Sequence, residues 1–202
     1  MTGQKYLRSE LLEAIARNTL KKYNPDLITN PEIQQVPIED IIEFLGLSLE
    51  FQYIRKNGRI LGETVFDDDY IPIYNMVNKE YELIFMERGT IIIDAGLFKN
   101  RHDGRLRFTA AHELAHWLIH QELYCGTGAT AAMYSYTTKS SGADKRIERQ
   151  ADRLAGALLM PLNQVKRAFY RIMGADKILL LAKEFGVSAQ AMEICLKEHR
   201  LL

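Results

Sequence analysis

The spacing of hydrophobic residues along the chain changes twice, from helical to alternating and back to helical. Residues 5–22 and 38–45 carry apolar side chains three or four positions apart, which predicts amphipathic helices. Between residues 47 and 94 the period becomes two, and turn residues such as Asn57-Gly58 separate short apolar runs. The candidate strands are 47–54, 60–66, 70–77, 81–86 and 90–94. We expect them to form a meander and hence a small, mostly antiparallel sheet.

Helical spacing returns after residue 103 and continues to the C-terminus. The last two predicted helices, 177–184 and 189–199, are separated by a turn at Gly186, and Ser188 is the expected N-cap of the second. The order of helix, sheet and helices predicts an α+β fold. We divide the chain into an N-terminal helical extension (1–36), a main domain (37–175) and a small C-terminal tail (176–202) that resembles a helix-turn-helix and packs on the domain.

Composition and charge exclude several classes of protein. The chain has 26 basic and 26 acidic residues, so its net charge of zero gives no reason to expect nucleic acid or an anionic membrane as a partner. Its two cysteines, Cys125 and Cys195, form no CxxC pair, which favours a reducing, cytoplasmic location. We expect no signal peptide, because the N-terminus has no apolar run of about 7–15 residues, and no membrane span, because no apolar run approaches the roughly 18 residues that a span requires.

The first chemical motif is the sequence His112-Glu113-Leu114-Ala115-His116, an HExxH. Histidines four residues apart lie one turn apart on the same helix face, so both imidazoles can bind one metal ion. Glu113 lies beside them and can take a proton from a water molecule at the metal. We therefore predict His112 and His116 as metal ligands and Glu113 as general base.

A catalytic zinc site needs a third protein ligand. The metzincin arrangement fails, because Ile119 and Glu122 occupy the positions that should hold its glycine and its third histidine. His120 lies two turns from His112, so one straight helix cannot easily aim all three histidines at one ion. We interpret His120 as a residue of the pocket rim or as a core histidine.

The next predicted helix supplies a better third ligand. Glu148 and Asp152 are four residues apart in an ExxxD motif and point the same way. Glu148 can complete the metal site, and Asp152 can accept the remaining N–H of a liganding histidine. Ala151 and Ala155 are small enough to let this helix approach the first one closely. The alternative interpretation of ExxxD is a cluster of solvated charges on the helix surface. If Glu148 is not the third ligand, Glu122 and Asp152 are the next candidates.

Two sequence blocks resemble a known family. Residues 107–116 read RFTAAHELAH, and the block from Glu148 to Pro161 follows the pattern ExxAxxxAxxLLMP. Both blocks, in this order, are similar to the ImmA/IrrE family of bacterial and phage metallopeptidases. Ala115 stands where the family usually has glycine. The resemblance extends from residue 37 to about 202.

The resemblance implies a zincin-like fold, in which a small sheet packs on the HExxH helix. It implies that Zn²⁺ binds His112, His116 and Glu148, and that Glu113 is the general base. The implied activity is that of a zinc metalloendopeptidase acting on a protein substrate, often a helix-turn-helix repressor encoded nearby. Such proteins are common in mobile elements and stress-response loci.

Two further features keep alternatives open. Tyr124, Tyr134 and Tyr136 lie where a donor to the reaction oxyanion could come from, although a packing role is the simpler interpretation of each. Strand 90–94 is either an edge strand that pairs with substrate or a core strand.

The rival function is a non-catalytic, metal-containing transcriptional regulator or partner-binding sensor, suggested by the helix-turn-helix pattern of the tail. The tail carries as many acidic as basic residues, whereas a DNA reader normally has a basic face. We therefore expect the tail to pack on the domain or bind a partner.

Overall fold

The computed structural model describes residues 7–100, 104–126, 142–174 and 176–202, apart from the side chains of 99–100 and 142–144. The helices are α1 (Ser9–Tyr23), α2 (Asp26–Thr29), α3 (Ile38–Phe44), α4 (Arg105–Tyr124), α5 (Gly142–Leu159), α6 (Leu162–Arg171), α7 (Lys177–Phe185) and α8 (Ala189–Glu198), with a 3-10 helix at Ala95–Asn100. The strands are β1 (Ser48–Gln52), β2 (Gly62–Thr64), β3 (Asp69–Asn75), β4 (Glu80–Met86) and β5 (Thr90–Asp94). The predicted α+β class is confirmed. None of these helices is both long and apolar enough to cross a bilayer.

The strands form two sheets, and the predicted meander is wrong for the larger one. That sheet has the order β1-β5-β2, in which β5 runs parallel to β1 and antiparallel to β2. All five residues of β5 are buried, because the strand is paired on both sides and its two faces pack in two cores, Ile91 and Ile93 in one and Ile92 in the other. Residues 90–94 are therefore a core strand and not an edge strand. A hydrophobic pattern locates strands, but it does not determine which strands pair across long stretches of chain.

The smaller sheet is the antiparallel β3–β4 hairpin, whose register pairs Tyr70 with Phe85 and Ile71 with Ile84. One face of the hairpin contributes Ile71 and Ile73 to a small core with Ile92 of β5. The expected small, mostly antiparallel arrangement is thus confirmed, with one parallel pairing between β1 and β5.

The main core lies between α4, α5 and the helices around them. Its fully or nearly fully buried side chains include Leu12, Ile41, Ile91, Leu114, Leu154, Leu181, Met192 and Leu196. Residues of α1 and of the tail helices α7 and α8 therefore share one hydrophobic core with the HExxH helix. The division of the chain at residues 36 and 175 remains a prediction.

The turn between α7 and α8 has the local structure that the sequence predicts. Gly186 ends α7 with a φ of 64°, in the left-handed region that glycine adopts without strain. The hydroxyl of Ser188 accepts a hydrogen bond from the backbone N–H of Ala191 and so caps α8.

Arg107 ties the first turn of α4 to two other parts of the fold. Its Nη2 donates to the carbonyl of Val36 at 2.8 Å, and its Nε donates to the carbonyl of Gly186 at 3.1 Å. Burial lowers the pKa of the Arg107 guanidinium, and the charge of Glu39 partly opposes that shift. The guanidinium therefore fixes the start of the HExxH helix against the chain before α3 and against the tail.

Replacing Arg107 should destabilise the whole fold. Arg107→Ala leaves the Val36 and Gly186 carbonyls without their charged donor, and we expect the free energy of unfolding to fall by about 2–3 kcal/mol. Urea unfolding followed by circular dichroism measures the change. The control is Arg59→Ala, since Arg59 is exposed. Substitutions of exposed residues usually change the free energy of unfolding by no more than about 0.5 kcal/mol. Equal stability of the two variants would contradict this role.

Candidate metal centre

Helix α4 places the two histidines of the HExxH motif on one face. The Nε2 atoms of His112 and His116 lie 3.0 Å apart, so both rings point at the same region of space. His116 is buried and the His112 side chain is 17% exposed, which leaves an opening on the His112 side.

Helix α5 brings a carboxylate to the same place. Oε2 of Glu148 lies 3.2 Å from Nε2 of His112, and Oε1 lies 3.7 Å from Nε2 of His116. Glu148 reaches this position because α5 packs directly on α4. Ala115 of α4 and Ala151 and Ala155 of α5 are fully buried, as expected for small side chains between closely packed helices.

The three side chains are of a kind and spacing that fit a metal ion. A tetrahedral ion with bonds of about 2.0–2.2 Å separates its ligand atoms by roughly 3.3–3.6 Å. The donor atoms of His112, His116 and Glu148 all lie within 4.8 Å of one another. Two imidazole nitrogens and a carboxylate oxygen can therefore hold one divalent cation and leave a further coordination position open.

The electrostatics of the cluster favour positive charge. Burial lowers the pKa of His112, but hydrogen bonds to Asp152 and Glu148 outweigh it and raise that pKa to about 10. Burial raises the pKa of Glu148, whereas hydrogen bonds to His112 and His116 outweigh it and hold that pKa well below its ordinary value. Two carboxylates around His112 thus stabilise a cation at this position.

Asp152 contacts the far side of the His112 ring. Its Oδ1 lies 2.9 Å from Nδ1 of His112, while Nε2 of the same ring faces Glu148. When a metal replaces the proton on Nε2, the proton that stays on Nδ1 is donated to Asp152 and the Nε2 lone pair binds the metal. This is the contact that the ExxxD spacing predicts.

His120, which we interpreted from the sequence as a residue of the pocket rim or a core histidine, lies next to His116. Its Nδ1 lies 3.1 Å from Nδ1 of His116, and it is buried. Burial first, and then the charge of His116, lower the pKa of His120 to about 3, so its ring is neutral and can accept the Nδ1 proton of His116. Its Nε2 has no hydrogen-bond partner among the described residues. The i, i+4 spacing from His116 was the available signal.

Glu113 faces β2. The hydroxyl of Thr64 donates to Oε2 of Glu113 at 2.7 Å and also contacts the Glu113 carbonyl at 3.0 Å. Glu113 is buried and lies outside the cluster of three donor atoms, as suits a base rather than a ligand. Sequence analysis placed Thr64 in the predicted strand 60–66 but did not identify this contact, because it arises only where β2 packs on α4.

The other candidates have simpler roles or lie elsewhere. Tyr124 is buried and stacks on Phe66, with ring centroids 4.9 Å apart, which is a packing role. Tyr134 and Tyr136 lie outside the described residues. Glu122, the alternative ligand, is exposed and is not part of the cluster of three donors.

The contact between β2 and Glu113 generates a prediction at Gly62. A Cβ at residue 62 would lie 2.6 Å from Cγ of the buried Glu113, so Gly62→Ala must displace that side chain or the strand. We expect the free energy of unfolding to fall by about 1–3 kcal/mol, measured by chemical denaturation. The same substitution at Gly156 in α5 meets nothing closer than 3.8 Å and should be neutral or stabilising by up to about 1 kcal/mol. A neutral Gly62→Ala would show that β2 does not pack on Glu113.

Comparison with known proteins agrees with this geometry. The family model described as Peptidase_M78, the IrrE N-terminal-like domain, matches residues 81–197. No match was found among curated proteins. The family match is shorter than the region from 37 to 202 over which the sequence resemblance extends, but it contains all three candidate ligands and Glu113, and it confirms the ImmA/IrrE resemblance. The family description indicates a peptidase, and the cluster of His112, His116 and Glu148 fits a metal cofactor. Because the match covers more than half of the 202-residue chain, the protein belongs to the Peptidase_M78 family of peptidases.

Proposed function

We propose that the protein is a zinc-dependent endopeptidase that hydrolyses a peptide bond in a regulatory protein, with helix-turn-helix repressors as the expected substrate class. The observation that carries the proposal is the convergence of His112, His116 and Glu148 beside Glu113. Membership of a peptidase family supports the reaction type.

The donor set favours zinc over other divalent cations. Two imidazoles and one carboxylate with an open position are typical of catalytic zinc sites, whereas magnesium and calcium prefer ligand sets made of oxygen. Zinc, when bound, supplies a Lewis acid that polarises the scissile carbonyl and makes water acidic near neutral pH.

The chain's own residues would position and move protons. Glu113 accepts a proton from the attacking water and passes it to the leaving amine. Thr64 holds Oε2 of Glu113, which fixes the carboxylate and leaves its other oxygen for the water. Asp152 and His120 fix the ring orientations of His112 and His116 through the Nδ1 contacts.

Several contacts favour an enzyme over a DNA-binding regulator. In α8, Glu193 forms an ion pair with Lys197, and Glu198 forms one with Arg153 at 3.2 Å. These ion pairs occupy Lys197 and Arg153, so the exposed surface of this helix lacks the excess of positive charge with which a protein binds DNA phosphates. Met192 and Leu196 of the same helix are buried in the main core, which supports a packing role for the tail.

The central test of catalysis is Glu113→Gln. Removing the general base should lower the rate of cleavage by about 10²–10⁴-fold and leave zinc bound, because Glu113 is not among the three donors. Digestion of a proteome-derived peptide library, analysed by mass spectrometry with metal content measured in parallel, gives both results. Glu122→Gln, on the exposed side of the same helix, is the matched control. Undiminished cleavage by Glu113→Gln would refute this role.

Zinc affinity tests the role of Asp152. Asp152→Ala removes the acceptor at Nδ1 of His112, and we expect zinc affinity to fall by about 10–100-fold. Competition with a chromophoric chelator measures the affinity. Asp176→Ala serves as control, since Asp176 is exposed and makes no side-chain capping bond. If both variants bind zinc equally tightly, Asp152 does not orient the ligand.

A further inference from the structure

A groove of about 1010 Å³ lies beside the metal centre, between α1, the start of α4, α5 and α8. Apolar side chains line much of its surface, among them Leu12, Phe108, Ala157 and Ile194. Ile194 is 51% exposed, so this wall of the groove is open to solvent. A large apolar groove next to a reactive site is the place where a substrate is expected to bind.

The groove adjoins the metal centre through Asp152, although none of the three metal ligands lines it. Asp152 lines it, and the Oδ1 of the same residue lies 2.9 Å from Nδ1 of His112. Phe108, which precedes His112 by one turn of α4, also lines it, and so does Arg149, the residue after Glu148. A chain that lies in the groove would therefore pass beside the residues that neighbour the ligands.

The polar lining of the groove is biased towards positive charge. Its arginines are Arg105, Arg146, Arg149 and Arg153, and its carboxylates are Glu13, Asp152 and Glu198. Each carboxylate has a basic partner within the protein: Glu13 contacts His199, Asp152 contacts His112, and Glu198 contacts Arg153. The side chain of Arg149 forms no ion pair or hydrogen bond with the described residues. The chain as a whole is neutral, so this excess of guanidinium groups is a local property of the groove.

The length of the groove suits a peptide segment. Along α8 the lining residues run from Gln190 to Glu198, a distance of about 12 Å at 1.5 Å per helical residue. That length accommodates roughly two turns of a helix, or about four residues of extended chain at 3.3 Å each.

We propose that this groove binds an amphipathic, acidic segment of the protein substrate, with its apolar side chains against Phe108, Ala157 and Ile194 and a carboxylate at Arg149. The inference rests on the proposed peptidase function and specifies the substrate for the same site. Arg149 is the specificity-determining residue, because it combines a position next to Glu148 with a charge that no described group compensates.

Binding can be tested separately from cleavage by using the zinc-loaded Glu113→Gln protein. The probes are two fluorescein-labelled peptides with the same leucines at helical spacing, one with glutamate and one with lysine at the polar positions. Fluorescence anisotropy should give a Kd for the glutamate peptide that is lower than that for the lysine peptide by about ten-fold or more. Equal affinities would overturn the proposal.

Variants locate the binding. Added to the Glu113→Gln protein, Arg149→Glu and Ile194→Asp should each weaken binding of the glutamate peptide by about ten-fold or more. The matched controls are Arg59→Glu and Leu179→Asp, which alter exposed side chains outside the groove. Thermal unfolding verifies that every variant is folded. The proposal is wrong if the groove variants bind as tightly as the controls, or if sedimentation shows that Ile194→Asp dissociates a dimer, since the groove would then be covered by a second copy.

Peptide binding and cleavage can fail independently. If the glutamate peptide binds selectively but the native protein cleaves no peptide, the groove is supported and the proposed peptidase function is refuted. If Arg149→Glu cleaves acidic and basic sequences at the same rates as the native protein, the peptidase function stands and the groove does not select the substrate.

Discussion

The close approach of α4 and α5 is the contact on which the rest of the structure depends. Neither helix carries a complete site, because His112 and His116 lie on one and Glu148 and Asp152 on the other. Alanine side chains in the contact, such as Ala115 and Ala151, are fully buried and keep the distance between the two helices short. A larger side chain there would move the Glu148 carboxylate away from the imidazoles, so the packing of the core determines the geometry of the cluster.

Around this contact, neighbouring groups hold three of the polar side chains that the proposed chemistry uses. Asp152 holds His112, His120 holds His116, and Thr64 of β2 holds Glu113. These contacts restrict the rings and the carboxylate before any ion or substrate arrives, which reduces the reorganisation that binding and reaction require. The sheet matters to the site chiefly because its β2 strand delivers the Thr64 hydroxyl.

The sequence allowed the site to be predicted more fully than the sheet. The i, i+4 spacings of His112 with His116 and of Glu148 with Asp152 are local, so a helical period is enough to place each pair on one face. The pairing of β1 with β5 joins residues about forty positions apart, and no local pattern encodes it. The contact of Thr64 with Glu113 was missed for the same reason, since it arises only when distant elements pack together.

The central claim is that α4 and α5 together hold one metal ion through three side chains, and zinc content per chain tests it most directly. Native protein, Glu148→Ala and Glu122→Ala are dialysed against zinc, freed of unbound metal and analysed by plasma mass spectrometry. We expect about one zinc per chain in the native protein and in Glu122→Ala, and a much lower content in Glu148→Ala. A native protein without zinc, or a Glu148→Ala variant that retains it in full, would contradict the account.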